Sequence, residues 1–95
     1  MAELPIFRPR EQKSDYIGTE TAWEPVGTLR AEVQPISDSA TAEMYGVKIT
    51  RSVTLLCENG ADIRERDRIE YSGGTYEIKG ATRYGNIIKA VAELI

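Results

Sequence analysis

The densest set of chemically versatile side chains is an arginine cluster at Arg64, Arg66 and Arg68. Guanidinium groups form paired hydrogen bonds with phosphates and carboxylates, so this cluster could bind either kind of anion. In an extended chain these alternate residues would share one side and form a basic stripe about 13 to 14 Å long. The alternative is a solvent-exposed turn whose charges pair among themselves. With the basic residues near the amino terminus, the candidate contacts for a partner or a phosphate are Arg8, Arg10, Lys13, Arg64, Arg66 and Arg68.

The composition excludes several kinds of catalytic and metal site. The chain has no histidine and one cysteine, so it lacks imidazole bases, Cys-His pairs and the usual zinc ligand sets. Two adjacent glycines, Gly73 and Gly74, lie between strand-like segments, and no phosphate-binding loop pattern occurs. We therefore predict no catalytic residue, no cofactor and no metal, and we expect that the protein is not an enzyme. The formal net charge of −3 argues against an ordinary basic nucleic-acid binder.

Length and hydrophobic content indicate one small globular domain that does not cross a membrane. With 95 residues, of which 41% are hydrophobic and 28% charged, the chain can form a single core of modest size. No apolar run approaches the roughly 18 residues of a membrane span, and the first residues lack a secretory signal pattern. Cys57 has no second cysteine to pair with and lies in phase with apolar neighbours, which predicts a buried thiol.

The first twenty residues differ in composition from the rest of the chain. They contain Pro5, Pro9 and several basic residues but few periodic apolar positions. We predict that residues 1–20 form an extended, partly flexible N-terminal arm, with a strand near residues 15–17, and that residues 21–95 form one compact domain. The arm could insert into a neighbouring subunit or lie along phosphates, and the alternative is a solvated terminus without a role.

Alternating apolar residues predict two strands in the first half of the compact domain. Residues 28–33 alternate until Pro35 ends the run, because proline lacks the N–H that a ladder requires. Residues 47–57 alternate with one exception at Arg51, which indicates a bulge, a strand end or a register change. Asn59 and Gly60 then predict a tight turn with positive φ at both positions.

Two further strand pairs are predicted towards the carboxyl end. Ile69 and Tyr71 are expected to pair with Tyr76 and Ile78 across a glycine turn. A last strand over residues 86–95 would follow a second glycine turn. A helix also fits the apolar spacing there, but the preceding turn favours the strand.

The polar segment over residues 37–46 connects two predicted strands. Ser37 and Ser39 are suited to begin a helix and Gly46 to end one, so a short helix and an ordered loop both fit. Five or six short strands with glycine turns can bury their apolar faces only by closing on themselves. The predicted fold is mainly β: a small antiparallel β-barrel with a long loop or short helix insertion and an extended N-terminal arm.

The order of these segments resembles the head-tail joining proteins of tailed phages, which include head-closure (stopper) and head-completion proteins. The resemblance rests on Trp23, on the strand exit A-E-V-Q-P-I-S from Ala31, and on the closing hairpin D-R-I-E-Y-S-G-G-T-Y-E-I from Asp67. These are structural residues without a catalytic signature. The resemblance therefore indicates a family more directly than a mechanism.

The resemblance implies a non-enzymatic structural protein of a phage or prophage that joins the DNA-filled head to the tail. The expected assembly is a homo-oligomeric ring below the portal and adaptor proteins that helps close the DNA channel and offers a docking surface to the tail-terminator protein. The isolated chain is expected to be a monomer, present in the host cytoplasm during assembly and then in the virion neck. Any contact with packaged DNA would be local, and no contact with a membrane is expected.

In the family that this chain resembles, channel closure is attributed to a long loop that folds inward on assembly. The corresponding segment here is residues 37–46, and the alternative is a plain surface connector between two strands. The candidate channel residues are Ser37, Asp38, Ser39, Thr41, Glu43, Met44 and Tyr45.

Two other functions fit the residues. The protein could be a neck or tail-completion component, or a stand-alone β-barrel module that binds single-stranded nucleic acid. The ingredients for such a module are Tyr71, Tyr76, Tyr84, Arg68, Lys79 and Arg83. However, Tyr71 and Tyr76 share a phase with Ile69 and Ile78, which favours the core over a stacking surface. Salt-dependent binding of an oligonucleotide would distinguish the module from the joining protein.

Overall fold

Six antiparallel strands close into a barrel. A computed structural model describes the backbone of residues 2–14, 18–36 and 39–95, and the side chains of these residues except 11–14, 18–21 and 41. The strands are β1 (Ala2–Ser14), β2 (Gly18–Pro35), β3 (Ser52–Glu58), β4 (Arg68–Tyr71), β5 (Gly74–Tyr84) and β6 (Ile87–Leu94). They follow the order β1-β2-β3-β6-β5-β4 around the closed barrel. The predicted antiparallel barrel is confirmed.

The barrel interior holds the larger of two apolar clusters, which we call the barrel core. Alternate residues on each strand point inward, as the two-residue period of a strand requires. Its buried members are Leu4, Ile6, Leu29, Ala31, Leu55, Cys57, Ile69, Ile78, Ile88, Ala90 and Ala92. Cys57 is buried there as predicted, and burial raises the pKa of its thiol.

The amino-terminal segment is only partly an arm. Strand β1 carries Leu4 and Ile6, which are 3% and 4% exposed, into the barrel core. The expectation of an arm over residues 1–20 therefore has to be corrected for its first part, which forms barrel wall because it buries these side chains. From Arg8 onward, β1 and the start of β2 pair with each other beyond the barrel wall, and we call this part the ribbon. The strand predicted near residues 15–17 lies outside the described residues.

A bulge marks the junction of the ribbon and the barrel. Ile6 pairs with Gly27 whereas Phe7 pairs with Pro25, so Val26 is an extra residue on β2. Gly27 has a φ of +137°, which a residue with a side chain rarely adopts. A bulge bends its strand and increases the local twist. Strand β2 thus begins ten residues before the predicted start at residue 28 and changes direction at Val26.

The barrel closes through a short contact between β1 and β4, which we call the seam. The described residues form two pairs there, Ile6 with Ile69 and Phe7 with Arg68. The next residue of β1 is Pro5, which has no N–H to extend the ladder towards Glu70. The seam is therefore a narrow closure between two strands that diverge on either side of it.

Helix α1 (Ser39–Tyr45) packs on the outside of the barrel. It forms the second apolar cluster, the helix cluster, whose buried members are Ile36, Ala42, Val47 and Val91, with Tyr45 packed against them. Gly46 has a φ of +66°, and the N–H groups of Gly46 and Val47 donate to the carbonyls of Glu43 and Ala42 at 3.2 and 3.0 Å. This is the Schellman ending of a helix. The helix alternative for residues 37–46 is confirmed.

The strand predicted over residues 47–57 is wrong in its first part. Ile49–Arg51 is a single 3-10 turn, and β3 begins at Ser52. Val47 is buried in the helix cluster instead of the barrel, and Ile49 is 41% exposed. Arg51 was expected to mark an irregularity such as a strand end, and the strand does begin directly after it.

The predicted glycine turns connect the later strands. Ser72 and Gly73 have φ values of +50° and +78°, as a two-residue type I′ hairpin requires. The predicted hairpin forms with a shorter turn than expected: Ile69 pairs with Tyr76, but Tyr71 pairs with Gly74, and Ile78 has no partner in β4. Gly85 opens the turn before β6, which is a strand and not a helix. The turn at Asn59 also forms, but only its second residue, Gly60, has a positive φ, and the chain then enters a loop over residues 61–67.

Candidate partner-binding surfaces

A buried carboxylate fastens the loop before β4 to strand β1. The side chain of Asp67 is fully buried and accepts hydrogen bonds from Nε and a terminal nitrogen of Arg8, both at 3.0 Å. It also accepts one from the backbone N–H of Arg64 at 3.0 Å. These charge-assisted bonds use both carboxylate oxygens, as a buried charge requires. We call the Arg8–Asp67 pair the clasp, because it joins the two sides of the barrel next to the seam.

The clasp extends towards solvent through Asp62. The carboxylate of Asp62 accepts hydrogen bonds from Arg8 and from Nε of Arg64, both at 3.3 Å. The bond from Arg8 is the main cause of a lowered pKa at Asp62. Bonding to Asp67, opposed by partial burial, raises the pKa of Arg8 further above its already high value. Arg8 and Arg64 thus engage carboxylates of their own chain, and their role in binding a partner stays a prediction.

The three arginines of the cluster do not line up in one extended stripe. Residues 61–67 are loop and turn, and Arg66 has a φ of +76°, so the strand geometry begins only at Arg68. Arg64 reaches Asp62, Arg66 is exposed, and Arg68 lies over Trp23. The premise of a continuous basic stripe is therefore wrong, although each arginine remains a candidate contact.

The basic residues of the ribbon are described in part. Arg10 donates to Glu24 across the two ribbon strands at 2.6 Å, and this bond raises the pKa of Arg10. Both side chains are exposed, so the pair contributes little to stability. The side chain of Lys13 lies outside the described residues.

Arg68 and Trp23 form the base of an open groove on the outer face of the barrel. The guanidinium of Arg68 lies 3.7 Å from the centre of the Trp23 ring, a cation–π contact. The groove has a volume of about 240 Å³ and is lined by Phe7, Trp23, Arg68, Glu70 and Thr75. We call it the Trp23 groove. Nε of Arg68 is buried without a hydrogen-bond partner among the described residues, which is rare for a buried polar atom.

The candidate channel residues lie on two sides of α1. Tyr45 faces the barrel, where its ring would approach a Cβ at position 80 to 2.5 Å, and its hydroxyl lies 3.0 Å from Oγ1 of Thr82. Glu43 and Met44 face away, and Met44 is 76% exposed. Ser39 is exposed as well. The side chain of Thr41, and the residues Ser37 and Asp38, lie outside the described part.

The aromatic residues proposed for a nucleic-acid module do not form one face. Tyr71 and Tyr76 pack edge to face, 6.1 Å apart, against the barrel core. Tyr84 is 54% exposed at the end of β5, and Lys79 donates to Glu77 at 2.6 Å. The preference for a core position at Tyr71 and Tyr76 is confirmed. A stacking surface would therefore need residues other than these two.

The described residues contain neither a metal-binding cluster nor a membrane-spanning helix. No three histidine, cysteine, aspartate or glutamate side chains in the described ranges are grouped to hold a metal ion. In the same ranges, no helix is long and apolar enough to span a bilayer.

The sequence as a whole matches a known protein family. The model of the family described as phage head completion protein matches residues 3–90, nearly the whole chain. This chain belongs to the phage head completion protein family. It is therefore a phage structural protein associated with the virion, and it works together with other head or tail proteins of a phage. The resemblance read from Trp23 and the closing hairpin is confirmed at this level.

The fold of this head completion protein recurs in a solved structure. The solution structure of protein SF1141 from Shigella flexneri 2a superposes with a TM-score of 0.75 and 20% sequence identity, covering 97% of this chain and 89% of that one. At this identity the similarity concerns the fold alone. No curated protein sequence matches the chain significantly.

Several residues of these surfaces could not be recognised from sequence. Asp67 and Trp23 were noted only as parts of a family pattern, because their partners Arg8 and Arg68 lie 59 and 45 positions away along the chain. Nothing in the local sequence indicated that Gly80 has to be a glycine, although the ring of Tyr45 occupies the space that a side chain there would fill. A pattern of local spacing cannot show such distant contacts.

Proposed function

We propose that this head completion protein joins the DNA-filled head to the tail, as a ring of several copies below the portal and adaptor proteins. The observation that carries the proposal is the family match over residues 3–90. In this role the protein helps to retain the packaged DNA and offers a docking surface to the tail-terminator protein. The isolated chain is a monomer that assembles on its partners.

The shape of the protein supports assembly into a ring. The Trp23 groove lies where the ribbon meets the barrel, whereas helix α1 packs on β6 and the later part of β5, so a surface on one copy can meet a different surface on the next. Such a head-to-tail contact closes into a ring when its rotation divides a full turn. A two-stranded ribbon is also marginal by itself in water, which favours its docking onto another surface.

Residues 37–46 are the part of the chain that we assign to narrowing the channel. The helix in this segment is held by the small helix cluster and by the bond between Tyr45 and Thr82. Because these attachments lie outside the barrel core, the segment can move without opening that core. Contact with packaged DNA would be local, with Arg66 available as an exposed guanidinium. No step of this function requires catalysis.

Deletion of the gene from its phage or prophage tests the proposal. After induction, particles are examined by negative-stain electron microscopy, and the DNA content of the heads is measured. We expect emptied heads beside separate, complete tails, and we expect joining to be restored when purified protein is added to freshly filled heads. Complementation with the wild-type gene controls for effects on neighbouring genes.

Two other outcomes would replace the proposal. Normal particles would remove the joining role and leave the nucleic-acid module, for which binding of a short single-stranded oligonucleotide at low and high salt is the direct assay. Full heads with defective tails would instead place the protein in the neck or tail as a completion component.

A further inference from the structure

The Trp23 groove carries an arginine, Arg68, that has no counter-ion among the described residues. Among the described residues no carboxylate lies within ion-pair distance of Arg68: Glu77 is engaged with Lys79, and Glu70 lines the groove without forming a pair. The guanidinium is instead held flat on the ring of Trp23 at 3.7 Å. An arginine fixed on an aromatic ring loses less freedom when it binds a carboxylate.

The groove also offers apolar surface beside this charge. Phe7 and Trp23 lie on adjacent strands of the ribbon junction, and both are only partly buried. Tryptophan and arginine are the residues most enriched among those that contribute strongly to protein interfaces. The groove therefore suits a segment that carries a carboxylate next to a large apolar side chain.

Helix α1 presents this combination on its outer side. Met44 is the most exposed large hydrophobic side chain of the described residues, at 76%, and Glu43 beside it is exposed and has no ion-pair partner there. Two other exposed apolar residues lie near acids that are already engaged: Glu24 near Val26 pairs with Arg10, and Glu93 near Ile95 accepts from the N–H of Lys48. Ile87 has the exposed Glu58 as its cross-strand neighbour, but its side chain is less exposed than that of Met44, at 42% against 76%. The thioether chain of methionine adapts readily to an irregular apolar groove.

We infer that α1 of one copy docks in the Trp23 groove of the next copy, with Glu43 on Arg68 and Met44 between Phe7 and Trp23. The helix contacts Val91 of β6 and Thr82 near the end of β5, whereas the groove is lined by residues of β1, β2 and β4 and by Thr75 at the start of β5, so one chain carries both halves of the contact at different places. This inference rests on the proposed ring and deepens it. It assigns Glu43 and Met44 to the wall between copies in place of the channel.

A charge exchange in the deletion background tests the pairing. Arg68→Glu and Glu43→Arg should each lower the yield of joined, DNA-filled particles by at least about tenfold, because each puts like charges in contact. The double variant should recover most of that yield. The control Arg30→Glu makes the same change of charge on an exposed arginine outside the groove, to which no role is assigned, and should leave the yield unchanged. Failure of the double variant to recover, with the control active and all variants folded, would overturn the inference.

Cysteine cross-linking tests the same contact without altering Arg68, in case Arg68→Glu impairs folding. In a Cys57→Ala background, Met44→Cys with Thr75→Cys should give disulfide-linked oligomers in purified particles, whereas Met44→Cys with Thr28→Cys should not. If deletion has no effect on particles, the proposed function fails, and the same variants are cross-linked as concentrated purified protein. Absence of linked oligomers for the groove pair in both samples overturns the contact, whatever the result of the deletion.

Discussion

The barrel core and the helix cluster share strands but differ in how they are held. In β6, Ala90 and Ala92 point into the barrel while Val91 points out beneath α1. The barrel core draws buried residues from all six strands, whereas the helix cluster joins β6 to one short helix and its flanking residues. Removing one buried side chain from the barrel core should therefore weaken the packing of all six strands. Removing one from the helix cluster should weaken only the attachment of α1. A single sheet thus combines a cooperative interior with a separable outer layer.

Removing a central side chain from the barrel core should produce the largest effect. Ile69 is fully buried where β4 meets β1 and β5. Ile69→Ala should lower the free energy of unfolding by about 2 to 5 kcal/mol, because it removes buried apolar surface and leaves a cavity. Urea denaturation followed by fluorescence of the single tryptophan measures this change. Ile49→Ala, at an exposed position outside both clusters, should cost less than about 0.5 kcal/mol, and a similar loss for both variants would contradict the comparison.

Breaking the clasp should cause the next largest loss of stability, and this loss should concern the barrel rather than α1. Asp67→Asn keeps the shape of the side chain but places an amide nitrogen opposite the donors of Arg8 and Arg64. We expect a loss of about 2 to 3 kcal/mol in the free energy of unfolding, since bonds to charged groups contribute at this level. Amide hydrogen exchange should accelerate at β1 and β4. Exchange that rises only in α1 would show that the clasp does not secure the seam.

Asp62→Asn is the matched change on the solvent side of the clasp. The pKa of Asp62 is lowered in the folded protein, so its stabilising contribution is present above the ordinary carboxyl pKa and is lost as the pH falls through the lowered value. The variant should therefore be slightly less stable near neutral pH and should show a smaller loss of stability on acidification. Thermal unfolding at several pH values measures both differences.

Crowding the space beneath α1 should disturb the helix cluster alone. A Cβ at Gly80 would meet the ring of Tyr45 at 2.5 Å. Gly80→Ala should displace the helix at a cost of about 1 to 3 kcal/mol, because overpacking forces side chains from their preferred positions. Hydrogen exchange should increase in α1 and remain slow in β3 and β6. Tyr45→Phe removes only the hydroxyl bond to Thr82 and should have a smaller effect, whereas equal exchange changes throughout the barrel would contradict a separable outer layer.

The smallest expected difference between the two clusters is in the rate at which a buried thiol reacts. Thiol labelling can measure this rate even when the stability of the protein hardly changes. The thiol of Cys57 is buried in the barrel core with a raised pKa, so it should react with a thiol reagent only when the whole barrel unfolds. In a Cys57→Ala protein, Ala42→Cys in the helix cluster should react faster, through local detachment of α1. Equal rates at the two positions would show that both clusters open together.

The strands with clear local patterns could be predicted from the sequence. The hairpin at Ser72 and Gly73 and the strand β6 follow from alternation and from turn residues that adopt positive φ. The alternating pattern predicted a strand at Val47 and Ile49 that does not form. Such a pattern shows that apolar residues recur at every second position, but it does not show which surface will bury them. Val47 is buried, as an apolar residue should be, but against α1 instead of inside the barrel.

The candidate surfaces were less accessible to sequence reasoning than the fold. The arginine cluster was recognised by composition, yet its members have separate environments, because the positive φ of Arg66 turns the chain between Arg64 and Arg68. The clasp joins β1 to the loop before β4, and the Trp23 groove brings β1 and β2 next to β4 and β5. Both arrangements follow from closure of the barrel. Such contacts become visible only when the order of strands around the barrel is known.

Opening of the seam would convert the barrel into a curled sheet with two free edges. Free edges pair readily with the edges of other chains, which is how many β proteins aggregate or exchange strands. Pro5 and Pro9 on β1 lack the N–H donors that such pairing requires, so this edge is a poor template even when exposed. The prolines that make the segment resemble a loose arm in the sequence thus limit unwanted pairing of β1 with other chains.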